Sequence, residues 1–199
     1  MLIRRRGVRL SVSPGFLFLV ALMLYLDDGS GIFLWTITAA IIHELGHVFA
    51  AAAFHGRVSK IVLGATGAEL SFEYPLCLSY AKENLVAFMG PLLNLLAAVP
   101  ALCLEAYLPA LISLGLGLFN LLPIFPMDGG RIFNNIFSDW FGPDVGGRVS
   151  IGIAAVVLGG LVLMGLISAV RFANGLVLIV SLWLLLGTVG KQRKFFKKM

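Results

Sequence analysis

The sequence is poor in charge. Of its 199 residues only 13% are Asp, Glu, Lys or Arg, while 59% are apolar. A soluble domain carries about 25% charged residues, enough to cover a water-facing surface. With a mean hydropathy of +0.98, this chain lacks that cover, and the lipid bilayer is its expected solvent. Cysteine is nearly missing as well. Cys77 and Cys103 are the only two, and neither has a Cys or His neighbour at metal-ligand spacing, which excludes a Cys-rich zinc module. Both are expected as small buried hydrophobes. There is no internal repeat, no low-complexity tract and no hydrophilic stretch long enough for a soluble domain. The longest such stretch, Arg131 to Arg148, reads as an interfacial helix and loop.

What is present is a series of apolar runs. A membrane-spanning helix needs about 20 such residues. Six candidates follow: Ser13 to Leu26, Ile32 to Phe54, about Asn84 to Leu104, about Leu108 to Phe125, Val149 to Val170, and Gly175 to Gly190. The expected fold class is an all-α polytopic membrane protein of about six spans, with a short β-hairpin after the second. Residues 1–190 would form one membrane domain and 191–199 a basic cytoplasmic tail.

The net charge of +5 is placed unevenly. Arg4, Arg5, Arg6 and Arg9 open the chain, and Lys191, Arg193, Lys194, Lys197 and Lys198 close it. Each run abuts an apolar segment, so membrane anchoring is expected and nucleic acid is not. With both termini cytoplasmic, 14 of the 15 Lys and Arg fall inside, leaving only Arg171 outside. That agrees with the positive-inside rule. The same topology puts Cys77 and Cys103 near opposite faces, against a disulfide. The N-terminus resembles a signal peptide, but Asp27-Asp28-Gly29-Ser30-Gly31 follows the apolar core with no A-x-A site, so the first span is expected to stay.

Between Arg57 and Tyr74 the helical pattern breaks. Ile61 and Leu63 alternate on one arm, Leu70 and Phe72 on the other, with Gly64 and Gly67 between. This reads as a short β-hairpin. Its edges must be covered or line a wet cavity at membrane depth, and an open edge could hold an extended peptide by strand addition.

The residues that carry chemistry lie inside these apolar runs. His43-Glu44-Leu45-Gly46-His47 is an H-E-x-x-H pattern. On a helix, positions i and i+4 share one face, so both imidazoles reach one Zn²⁺, and the Glu lies where it can take a proton from water. A charged or strongly polar side chain costs about 2.5 to 3.5 kcal/mol at mid-membrane, so two His and a Glu are not inert filler there. A catalytic zinc takes three protein ligands and keeps one open position. Glu69, Glu73, Glu105, Asp139 and Asp144 are poorly placed for the third. Asp128 fits best, in Asn120-Leu121-Leu122-Pro123-Ile124-Phe125-Pro126-Met127-Asp128-Gly129-Gly130-Arg131. There Pro123 and Pro126 break the helix and Gly129-Gly130 permits a tight turn. The competing role for Asp128 is a helix-end cap. Asn94, in Gly90-Pro91-Leu92-Leu93-Asn94, and Asn120 can each bond a substrate carbonyl, stabilise an oxyanion or satisfy backbone freed by Pro91 or Pro123. His55 is too far along the helix to join the metal and reads as an interfacial polar residue. Gly152, Ala155, Gly159 and Gly160 read as a small-residue packing face.

At HELGH 43–47, GPLLN 90–94 and NLLPIFPMDGGR 120–131 the chain closely resembles the site-2 protease family of intramembrane metalloproteases. The three motifs occur in the family's order. The resemblance implies zinc on His43, His47 and Asp128, with Glu44 activating water, and a hairpin that presents substrate. It also implies a membrane-tethered regulatory protein, such as a pro-sigma or anti-sigma factor, as substrate, and other membrane proteins as inhibitors or activators. Six spans with both ends inside most resemble the branch of the sporulation protease that processes pro-sigma-K. The sequence departs from that branch in carrying no nucleotide-sensing CBS domain, and from others in having no room for a PDZ insertion. Two rival readings remain: a non-catalytic membrane regulator of the same fold that binds substrates, and a small metal transporter using the same His and Asp. The intact HELGH argues against the first. The Glu between the His residues and the hairpin argue against the second.

Overall fold

The computed structural model describes residues 2–5, 8–64 and 67–196. They fall into two compact units, Met1–Phe119 and Asn120–Met199.

The first unit combines helices with a four-stranded sheet. In chain order it holds β1 (Leu2–Arg5), β2 (Val8–Val12), α1 (Pro14–Leu26), α2 (Ile32–Ala53), β3 (Arg57–Gly64), β4 (Gly67–Glu73), α3 (Tyr80–Cys103) and α4 (Tyr107–Asn120), which closes on the first residue of the second unit. The expected hairpin is β3 and β4, antiparallel from Arg57↔Glu73 to Gly64↔Gly67, with an irregularity between Val58 and Lys60. Gly67 has φ +104°, which an L side chain rarely adopts.

Two strands were not expected. The basic opening of the chain forms β1 and β2, and β2 pairs parallel to β3 from Arg9↔Lys60 to Val12↔Leu63. The sheet order is β1-β2-β3-β4. The all-α reading is corrected accordingly. Val8, Leu10 and Val12 alternate with Arg9 and Ser11, a strand period. The charge run beside them drew the eye to anchoring instead.

Local chemistry sets the helix ends. Ser13 caps α1, its Oγ accepting from Phe16 N at 3.2 Å, and Pro14 takes the first helical position. Asp27 closes the turn into α2 by accepting from Ser30 Oγ and Gly31 N. The helix α2 ends at Phe54, with His55 at φ +59° and exposed, as suits an interfacial residue. Ala50, Ala51 and Val86 are buried together under Phe54, Phe72, Tyr74 and Met89, which fastens the end of α2 and the start of α3 to β4.

The second unit starts with the broken stretch after α4 and continues through α5 (Asp128–Phe141), α6 (Pro143–Phe172) and α7 (Leu176–Phe196). The last of these continues as helix into the segment expected as a tail. Three helices, α2, α3 and α6, are long and apolar enough to cross a membrane, and Pro14–Leu26, Tyr107–Asn120 and Leu176–Thr188 are shorter apolar helices. The chain is thus a mostly helical membrane protein. Two smaller expectations fail. Gly152, Gly159 and Gly160 have nothing within 4 Å of a Cβ position, so they are not a packing face; Gly146 and Gly165 are the close contacts of α6 instead, against α5 and α7. Cys77 and Cys103 are free and exposed, because each sits at an end of the α3 segment rather than in its packed middle.

Candidate metal centre

The helix α2 has no Pro, so it runs unbroken through His43 and His47, and positions 43 and 47 stack one turn apart on its buried face. Each imidazole is 6% exposed. Their Nε2 atoms face each other at 3.1 Å, and the rings meet edge to face with centroids 4.8 Å apart. His47 Nδ1 lies 2.8 Å from the Val86 carbonyl of α3. A carbonyl only accepts, so Nδ1 carries the proton and Nε2 presents its lone pair. Two buried ring nitrogens turned on one point are a donor arrangement of the kind that holds zinc.

Space for that cation is kept by Gly90. A Cβ there would collide with Nε2 and Cε1 of His47 and lie 3.0 Å from His43 Nε2. On the facing helix, a Cβ at Gly46 would collide with the Met89 carbonyl and sit 2.9 Å from Gly90 Cα. The two glycines let α2 and α3 approach backbone to backbone, which brings Val86 and Asn94 to the imidazoles. The pair Gly46 and Gly90 was legible in the sequence as residues but not as a contact. Glu44 is half-buried on the same helix, between the two ligand positions.

Asn94 is fully buried, at 0% exposure. Its amide Nδ2 lies 3.3 Å from His43 Nδ1, so the structure sets it against a histidine ring.

In the second unit, Asp128 opens α5 and is 7% exposed. The helix N-terminus complements its negative charge, and Arg131, one turn on, lies 3.8 Å from its Oδ1. The stretch before it is held by Ile124 N to the Leu122 carbonyl at 2.7 Å and Met127 N to the Ile124 carbonyl at 2.8 Å. Thr188 of α7 donates to the Phe125 carbonyl at 2.6 Å. Gly129 and Gly130 do not make the expected turn. Both are helical, and a Cβ on either would collide with the backbone of Leu121, Leu122 or Ile124 folded back over the start of α5. They are needed for close approach, not for backbone freedom. Asn120 is half-buried at the end of α4, where the broken stretch starts.

Comparison with known proteins agrees with these features. The model of peptidase family M50 matches residues 105–166, which includes Asp128 and the broken stretch. A zinc metalloprotease of Methanocaldococcus jannaschii is 27% identical over 174 residues, covering 81% of this chain and 49% of the relative. Stage IV sporulation protein FB of Bacillus subtilis is 29% identical over 140 residues, covering 66% of this chain and 48% of the relative. The chain thus spans about half the length of these two curated relatives. The solved structure of a site-2 protease from Methanocaldococcus jannaschii superposes with a TM-score of 0.66 at 25% identity, covering 96% of this chain and 94% of that one. Three motifs, a family model over residues 105–166 and a shared fold all liken this chain to the site-2 proteases of peptidase family M50.

Proposed function

We propose that this protein is an intramembrane zinc metalloprotease that hydrolyses a peptide bond in or near the transmembrane segment of a membrane-tethered regulatory protein, such as a pro-sigma or anti-sigma factor. The observation that carries the reading is the buried His43–His47 pair with facing Nε2 atoms and a glycine held open beside them. His43, His47 and Asp128 each offer one ligand atom, two ring nitrogens and a carboxylate oxygen, and all three are buried. That donor set fits zinc with one position left open.

In this reading residues 1–190 are the protease domain, with six spans, both termini cytoplasmic and residues 191–199 a basic tail. Other membrane proteins would gate its activity. Zinc, when bound, polarises the scissile carbonyl and makes the attacking water a stronger acid. The Glu44 carboxylate takes the proton of that water and returns it to the departing amide nitrogen, so the peptide bond breaks with no net gain or loss of protons. Asn120, in the broken stretch where freed backbone groups already mark an irregular helix, would bond the carbonyl oxygen as charge builds on it. Burial of the pair excludes bulk water, which strengthens each of these interactions.

The test is one experiment with three proteins: wild type, Glu44→Gln and Asp128→Ala, purified in detergent and also co-expressed with a membrane-tethered pro-sigma factor. Wild type should hold about one zinc per chain and cleave. Glu44→Gln should keep zinc and lose cleavage by about 10²- to 10⁴-fold, the usual contribution of a general base. Asp128→Ala should lose most of its zinc. Retained cleavage in Glu44→Gln sinks the base assignment. Wild type that binds zinc and the substrate without cutting it supports the non-catalytic regulator instead.

A further inference from the structure

Residues 121–127 form neither helix nor strand, and Pro123 and Pro126 have no N–H to give. The stretch is tied locally by Ile124 N to the Leu122 carbonyl and by Met127 N to the Ile124 carbonyl. Ile124 and Met127 are nonetheless buried, and Asp128 opens α5 directly after them. Any latitude in this stretch passes to the Asp128 carboxylate, because that residue is the next along the chain.

The Phe125 carbonyl, three residues before Asp128, takes a donor from another helix of the same unit. Thr188 Oγ1 of α7 lies 2.6 Å from it and 2.8 Å from the Leu184 carbonyl. A threonine within a helix ordinarily turns its hydroxyl back to the carbonyl four residues earlier, and that bond alone would satisfy Thr188 in apolar surroundings. The hydroxyl has one proton to give, and the shorter distance is to Phe125, 63 residues away in the chain. The Leu184 carbonyl lies within the helical ladder of α7, whereas the Phe125 carbonyl lies outside any ladder. Ser181, Leu184 and Thr188 are all buried and share one face of α7, so a packed face delivers the hydroxyl. Ser181 shows the ordinary behaviour on that face: it donates to the Leu178 carbonyl of its own helix at 2.9 Å.

We propose that Thr188 is a positioning residue for the metal site: its hydroxyl fixes the main chain at Phe125 and so sets where the Asp128 carboxylate is presented. Its contribution acts through the main chain rather than on the substrate. The inference rests on the proposed zinc site.

The test takes two readings on the full chain in detergent: zinc affinity, by competition with a chelator of known affinity, and amide hydrogen exchange over residues 121–130. Thr188→Val keeps the shape and removes the hydroxyl. Thr188→Ser keeps the hydroxyl. Ser181→Ala removes a hydroxyl that is equally buried on the same helix and bonds only within it. Thr188→Val should bind zinc about tenfold more weakly, the lower end of the effect of removing a group that orients a ligand. Its residues 121–130 should exchange about tenfold faster, as expected when one buried hydrogen bond is lost. Thr188→Ser should restore both readings, and Ser181→Ala should change neither. Normal zinc affinity in Thr188→Val overturns the proposal. So does an equal loss in Ser181→Ala, which would make the effect a general one of α7. If Thr188→Val fails to fold, Thr188→Ala removes the same hydroxyl and is read in its place. Loss of fold in both, beside a folded Thr188→Ser, makes the hydroxyl a requirement of folding and overturns the positioning role. Wild type without zinc overturns the metal reading itself, a different failure from normal zinc in wild type with no dependence on residue 188.

Discussion

At position 90 a single methyl group would lie against the His47 ring and 3.0 Å from Nε2 of His43. The neighbouring atoms belong to two buried imidazoles, the proposed zinc ligands, which cannot move aside without leaving their own partners, the Val86 carbonyl and the Asn94 amide. Gly90→Ala is therefore expected to lower zinc affinity by about tenfold or more, comparable to the loss of a partner that orients a ligand. Chelator competition measures it, and a thermal scan in detergent confirms that the variant is folded. Unchanged zinc affinity would mean that the metal lies away from the face Gly90 guards. The buried polar cluster itself was legible from sequence, because such a cluster within an apolar run has few explanations. What Gly90 and Asn94 do was not, since it depends on which atoms α3 sets against α2, and no spacing rule within one helix encodes that.

At the scale of elements, glycines divide the helices into faces that touch and faces that do not. A Cβ at Gly146 would meet the backbone of Phe137 and Ser138 in α5, at 2.6 Å from Ser138 Cα. Backbone cannot shift as a side-chain tip can, so Gly146→Ala should destabilise by about 1–3 kcal/mol, the range for overpacking. Gly152 lies on the same helix with nothing within 4 Å. There Gly152→Ala should be neutral or stabilising by up to about 1 kcal/mol, the propensity difference in a helix interior. Thermal unfolding of both variants in one detergent checks the contrast. Equal effects would place the two residues in the same environment. The sequence pattern suggested the reverse assignment, because a row of Gly and Ala is common to helix–helix seams and to faces that are merely unhindered. The same limit explains Gly129-Gly130. Two adjacent glycines after a proline-broken stretch look like a turn, and only the path of Leu121 to Ile124 shows that they make room for it.

For the whole molecule, the hydrophobic runs and the placement of basic residues made the membrane class legible, and the helices agree with the runs closely. The sheet was half legible. The hairpin carried glycines and alternation, while β1 and β2 were masked by Arg4, Arg5 and Arg9 in a segment that reads equally well as an anchor. The proposed six-span orientation puts the exposed Cys77 on the cytoplasmic side and the exposed Cys103 on the other. A membrane-impermeant thiol reagent added to intact cells should therefore label Cys103, and label Cys77 only after permeabilisation. Single-cysteine variants, each retaining one of the two, separate the signals. Labelling of Cys77 from outside would invert or renumber the spans.

The parallel pairing of β2 with β3 also has a consequence in time. The partner of Val12 is Leu63, and the helices α1 and α2 lie between them in the chain. At a synthesis rate of about 5–20 residues per second, β2 leaves the ribosome several seconds before its partner exists. In that interval the antiparallel neighbour β1, joined to β2 from Leu2↔Ser11 to Arg5↔Val8, is the strand at hand to satisfy its backbone. The pairing with β1 is thus in place before β3 exists to close the other edge of β2.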